Sequence, residues 1–299
     1  PPRSTLFPYT TLFRSFIITF CLSFYVQTKQ ARFNAIEMIR LKIADAKRQL
    51  LIAGENVESI RIMTRTEALA KARSFAALIA ANPSLLQDRN SCEHLARILN
   101  VDQVHVSDAN GILIASNDDV IGYDMNAAEQ SRAFMPALKD KYFELVQEPR
   151  PRGIDGKLFQ YAGVARQDKP GIVQIGFYPE RLQQAMKIAD IRNLAPGFRI
   201  GNNGLLVISR DDRIVSCEDN SFIDKPVFEF GISVSDLNSG RVFDVEIAGI
   251  HYLGLSEKYQ DYTLTGLLPD DEMYLSRNAM TLFLIFCNLV IFGVVFILV

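Results

Sequence analysis

The sequence predicts an α+β protein: a long amphipathic helix followed by two antiparallel-sheet subdomains, flanked by transmembrane helices. Three observations lead there. Residues 27–81 contain no proline and a single glycine, Gly54, and their apolar residues step three and four apart. Runs of period-two hydrophobicity then flank turn residues twice, roughly one hundred residues apart. Finally, Ala279 to Val299 is an uncharged apolar run of about twenty residues, the length of a helix that crosses a hydrocarbon core.

The N-terminus needs separate treatment. Within Pro1 to Ser15 the string RSTLFPYTTLFRS repeats Thr-Leu-Phe at residues 5–7 and 11–13 and resembles translated sequencing-adapter sequence, so residues 1–15 are set aside as non-native. Phe16 to Val26 then reads as a truncated first membrane segment. A signal-peptide apolar region is the alternative, but no small-residue cleavage site follows it. Two spans place residues 27–278 on one, extracytoplasmic, face of a cell membrane, with the second span at 279–299 leading to an output module expected after Val299.

In residues 27–82 the narrow seam Ile36, Ile39, Ile43, Ala46, Leu50, Ala53, Val57 and Ile60 fits either a parallel homodimer or a helix lying along its own domain. The seam broadens over Ala68, Leu69, Ala72, Phe75, Ala76 and Ile79, as where a helix covers a core, and Asn82-Pro83 ends it. The first sheet subdomain, 83–190, opens with a short helix at Ser91 to Leu99. Val101 to Asp108 and Ile112 to Ser116 flank Asp108-Ala109-Asn110-Gly111, a hairpin signal. A helical stretch at Ala127 to Lys139 and strands at Tyr142 to Gln147, Lys157 to Arg166 and Gly171 to Phe177 follow, and Pro179 to Ile191 reads as a connecting helix. The second subdomain, 191–278, repeats the plan. Leu205 to Ser209 and Arg213 to Cys217 form a hairpin, and strands at Gly240 to Ile247, Ile250 to Glu257 and Tyr262 to Pro269 follow. NGILIAS also matches NGLLVIS at a different offset, so the register of the repeat stays open.

Composition excludes several functions. A net charge of −2 gives no clustered basic surface for nucleic acid. The four cysteines are scattered, two of them in the membrane segments, and read as free thiols. None of the three histidines, His94, His105 and His251, has a second His or Cys at ligand spacing, so neither a metal nor another cofactor is expected. GIDGK at Gly153 to Lys157 lacks the spacing of a phosphate loop, and no nucleophile elbow appears, so no catalytic residue is assigned.

The order and spacing of VHVSDANGILIASND with IGYDM, QSRAFMPAL, GIVQIGFYPERL, GLLVISRDDRIVSCED and YTLTGLLPDDEMYLSRN resemble the double-Cache, PAS-like extracytoplasmic sensor domains of bacterial membrane receptors. The resemblance covers about Gln27 to Val299. It implies a small-molecule pocket in the membrane-distal subdomain and a proximal subdomain that relays the change to the second span. In members that bind amino acids, an Arg followed by Trp and Tyr grips the ligand carboxylate, and an Asp on a late strand takes the ammonium. Here Arg132 matches the arginine, Phe134 and Met135 stand where the aromatic pair is expected, and Gly176 replaces the acid. An Arg without its acidic counterpart points to a carboxylate-bearing ligand rather than a zwitterion.

Further ligand-binding candidates come from the strands. Tyr142, Phe143 and Tyr161 face either the pocket or the core. Gln160 and Gln174 interrupt apolar runs, as solvent-facing positions or as hydrogen-bonding pocket groups. Arg150 and Arg152 lie on a proline-rich loop that either lids a site or is simply solvated. The function expected is a ligand-sensing receptor region, a homodimer through the long helix. Its output module would be a phosphatase, histidine kinase, chemotaxis or diguanylate cyclase type, with a lean to the first two from RGIDGKLFQYAGVAR. The alternative is a membrane-anchored extracellular enzyme or assembly protein with an α/β domain.

Overall fold

The structure, a computed structural model, describes residues 7–151 and 158–298. Its first element, α1, is one continuous helix over Phe7–Ala81, 75 residues long. Residues 7–15, set aside in the sequence, are helical and run without a break into the expected first membrane segment. Asn82 ends the helix, accepting from Ser84 N ahead of Pro83. The chain divides into two compact units, residues 53–189 and residues 1–52 with 190–299, so that α1 contributes to both.

The first unit continues with α2 (Arg89–Leu99), β1 (Gln103–Ser107), β2 (Leu113–Ser116), α3 (Glu129–Arg132), β3 (Glu144–Val146), β4 (Arg150–Pro151), β5 (Leu158–Ala165), β6 (Ile172–Phe177) and α4 (Glu180–Ile188). Its antiparallel sheet has the order β2-β1-β6-β5-β3, with β4 pairing β5. The expected helix over Ala127 to Lys139 is only α3 and a separate 3-10 turn, Met135–Leu138, because Pro136 has no N–H to continue an α-helical ladder. On one sheet face Val104, Val106, Ala162, Val164, Val173 and Ile175 pack against Ala68, Ala72, Phe75, Ala76 and Ile79 of α1 and Cys92, Leu95 and Leu99 of α2.

The second unit carries β7 (Leu205–Arg210), β8 (Arg213–Ser216), β9 (Val242–Ile247), β10 (Ile250–Tyr259) and β11 (Tyr262–Pro269), then α5 (Asp270–Met273) and α6 (Leu275–Leu298). The order β8-β7-β11-β10-β9 is that of the first sheet, second-first-fifth-fourth-third. Each leading hairpin also shifts register at one place, between Val106 and Ser107 and between Ile208 and Ser209. Ser107 therefore corresponds to Ser209, and the literal match of NGILIAS to NGLLVIS falls on non-equivalent strands, β2 and β7.

Here the helix seam finds its partner. Ile39, Ile43 and Ala46 are fully buried against Leu206, Ile208, Leu253, Leu255 and Leu264 of the second sheet. This part of the seam is intramolecular, the second of the two readings it allowed, a helix lying along its own domain: heptad spacing shows which helix face is apolar, not what covers it. The opposite face leaves Phe33, Leu41 and Leu51 exposed.

Among the described residues one helix segment, Leu275–Val294, is long and apolar enough to cross a membrane, with a mean hydropathy of 1.7. The start of α1 runs beside it. Phe16 meets Phe292 edge-on with ring centres 6.4 Å apart, and the Arg277 guanidinium lies over the rings of Tyr274 and Phe24, at 3.8 and 4.8 Å.

Candidate functional site

Side chains alternate across a strand, so the sheet of the first unit presents a second face away from α1. On β1, β5 and β6 that face carries His105, Tyr161 and Gln174. His105 pairs with Gln174 across the β1–β6 ladder, and Gly176 lies between Gln103 and Tyr161 in the next row. The chain after β2 folds back over this face. Met125, 1% exposed, donates its N–H to Gly111 O at 3.0 Å, and Gly122 N donates to Leu113 O at 2.8 Å, fixing the path of the roof.

Between sheet and roof lies a pocket of 210 Å³. Its floor is His105, Leu113, Tyr161 and Gln174; Val120, Tyr123, Met125, Gln130 and Ser131 close it from the roof, with Ala128 at the rim. Gly176 makes room for the wall. A Cβ there would lie 2.6 Å from Phe159 Cε1 and 2.8 Å from Tyr161 Cε1, so the two rings occupy the space an acidic side chain would need.

The pocket's polar groups form a graded set. The Tyr161 hydroxyl donates to Gln103 Oε1 (3.0 Å), and Gln103 Nε2 donates to Asp118 Oδ2 (2.7 Å). Ser116 Oγ accepts from Asp118 N at 2.8 Å and lies 2.9 Å from His105 Nδ1. Burial pushes the His105 pKa down to about 4, against a smaller opposing pull from Asp118, so the imidazole is neutral at physiological pH. Gln174 is 6% exposed as a residue, and its amide, open to the pocket, makes no side-chain hydrogen bond to protein among the described residues. A buried amide with free donors and acceptor facing a cavity is prepared for a guest.

The chain is similar to ligand-binding domains of chemoreceptors. That of the Campylobacter jejuni chemoreceptor Tlp3 with L-valine has 14% identity over 81% of this chain and 98% of its own, with a TM-score of 0.38. The ligand-binding domain of Mlp24 with asparagine has 13% identity, 84% and 98% coverage and a TM-score of 0.35. That of Pseudomonas fluorescens CtaA with L-alanine has 14% identity, 75% and 97% coverage and a TM-score of 0.35. No family model and no curated protein matches the chain.

Of the residues singled out in the sequence, the pocket gathers Tyr161 and Gln174. Gln160 falls on the opposite face, in the row of Ala162 and Val164, and donates to Gln147 O at 2.8 Å. Arg132 is exposed, with Nε and Nη2 both donating to Asn126 O at 3.1 and 2.9 Å. Phe134 is fully buried in the core cluster with Met125, Ala165 and Ile172, and Met135 packs at its edge with Phe143. Tyr142 is 80% exposed, with Lys141 Nζ 5.1 Å from its ring centre. Arg150 is exposed on β4, and Arg152 and Gly153 to Lys157 lie outside the described residues. Sequence reasoning missed His105 as a pocket group, together with Tyr123, Met125, Gln130 and Ser131. The signals for them were segments quoted for the resemblance: VHVSDANGILIASND holds His105, IGYDM holds Tyr123 and Met125, and QSRAFMPAL opens with Gln130 and Ser131.

Proposed function

We propose that the chain is the sensing region of a membrane receptor, binding a small molecule in the pocket of the first unit. The observation that carries this reading is the Gln174 amide, buried and unpartnered on the pocket floor beside a neutral His105. Residues 27–278 are extracytoplasmic in this reading, with the first unit distal to the membrane. Binding acts by differential affinity: a ligand that prefers one position of the 117–131 roof shifts the population toward it. The apolar α6, with the start of α1 beside it, is the route toward a cytoplasmic output module of phosphatase, kinase, chemotaxis or cyclase type.

The finer reading, a carboxylate-bearing ligand, depends on Arg132, the cation next to Ser131 on the roof. Taking a carboxylate there requires its guanidinium to leave the Asn126 carbonyl. The competing reading, an extracellular enzyme, calls for several convergent titratable groups; the pocket lining offers His105 and two tyrosines.

A thermal-shift screen of the full chain in lipid nanodiscs tests the proposal, with Ala128→Trp as control. Ala128 is exposed at the pocket rim, so an indole there fills the cavity without entering the core. Hits that stabilise the wild type and not Ala128→Trp support the pocket. Hits that stabilise both equally place binding elsewhere.

A further inference from the structure

We infer that the ligand of this pocket is an uncharged, ring-sized molecule with an amide-like edge, one donor beside one acceptor, as in a carboxamide, lactam or cyclic imide. This rests on the sensor reading above and narrows it. Three observations carry it.

The first is charge. Among the described residues, no Asp, Glu, Lys or Arg lines the pocket. Beside it, Asp118 is engaged with Gln103 and Arg132 with the Asn126 carbonyl, and the other roof carboxylates, Asp119, Asp124 and Glu129, are exposed and do not line it. A charged guest would give up its hydration with no opposite charge to meet it.

The second is the hydrogen-bonding pattern of the floor. The Gln174 side chain offers an N–H₂ and a C=O side by side and spends neither on the protein. A partner that fills both presents an acceptor next to a donor, the edge of an amide. Its neighbour supplies a further donor in the tautomer we assign, in which Ser116 Oγ, itself accepting from Asp118 N, gives its proton to His105 Nδ1 over 2.9 Å. The ring proton then sits on Nε2, the nitrogen left for the pocket. The floor therefore displays donor, donor and acceptor, all neutral.

The third is size and wall chemistry. An apolar cavity of about 150 Å³ accommodates benzene, so 210 Å³ takes one substituted ring. Tyr123, Tyr161, Leu113, Val120 and Met125 give that ring aromatic and aliphatic walls.

Matched probes test the assignment in the full chain in nanodiscs: nicotinamide against nicotinate, and benzamide against benzoate and benzylammonium, read by thermal shift and calorimetric titration. The expected result is binding of the two carboxamides alone, weakened roughly tenfold by Gln174→Leu, the loss of buried hydrogen bonds. His105→Gln, which keeps an N–H donor, should hold more affinity than His105→Leu, so the outcome does not hang on one variant's folding. Binding of nicotinate or benzoate that Ala128→Trp abolishes overturns this inference while leaving the sensor pocket standing. Binding by no probe of either charge class overturns the inference together with the pocket reading.

Discussion

Tyr161 on β5 reaches across β6 to donate its hydroxyl to Gln103 on β1 over 3.0 Å, passing above Gly176, where any Cβ would lie 2.8 Å from its ring. Two aromatic rings thus stand where the resemblance to amino-acid sensors would place an acid. Gly176→Ala should displace both rings and cost about 1–3 kcal/mol. Tyr161→Phe, which removes only the hydrogen bond, should cost about 1 kcal/mol. Thermal denaturation of the two variants in parallel checks the order, and equal losses would contradict the packing described.

His105 makes stability depend on pH. The unfolded imidazole takes up its proton near pH 6.5, whereas the buried one resists protonation until about 4, so between those values the unfolded chain binds more protons. The contribution is fully present above the unfolded pKa and is lost as pH falls, by about 3 kcal/mol over the window. His105→Gln should flatten that part of the stability profile. Carboxylates that also lose their partners in acid, such as Asp108 and Asp168, act equally in both proteins, so the difference between the two curves isolates the histidine.

Phe134 and Arg132 should separate cleanly. Phe134 is fully buried beneath the roof, and Phe134→Ala should cost about 3–5 kcal/mol. Arg132→Ala gives up two exposed bonds to one carbonyl and should cost under about 1 kcal/mol. If Arg132→Ala also leaves the affinity of a bound carboxylate unchanged, the carboxylate reading loses its cation.

A homodimer through α1, if the chain forms one, would meet on the exposed face of that helix. Phe33, Leu41 and Leu51 are 60%, 68% and 55% exposed, against 0% for Ile39 and Ile43. Leu41→Glu with Leu51→Glu should leave the chain folded and shift detergent-solubilised protein from dimer to monomer in sedimentation. Ile43→Glu should instead unfold the second unit, because it buries a charge without a partner. A double variant that stays dimeric would exclude this face.

Much of the fold was legible because it is local chemistry. Asn110-Gly111 marks a turn that only a residue tolerant of positive φ completes, and Gly111 has φ +84. Among the described residues, period-two runs located ten strands and left the two-residue β4 unread, and an uncharged run located α6. What stayed hidden depends on register and partners. Gln160 and Gln174 look alike as polar breaks in apolar strands, and only strand pairing puts one under α1 and the other in the pocket. Arg132, Phe134 and Met135 were read on one helix, but Pro136 breaks it and turns Phe134 into the core. A lone histidine on an apolar strand reads as packing, and nothing local announces that residues 117–131 will fold over His105.

Hydrogen exchange of the full chain in nanodiscs, with and without the compound giving the largest thermal shift, tests the central claim most directly. A pocket between His105, Gln174 and the roof predicts slowed exchange at residues 117–131, with smaller protection at 103–107 and 172–176. Protection confined to the second unit, or spread along α1 with none at 117–131, would show that the ligand site lies elsewhere.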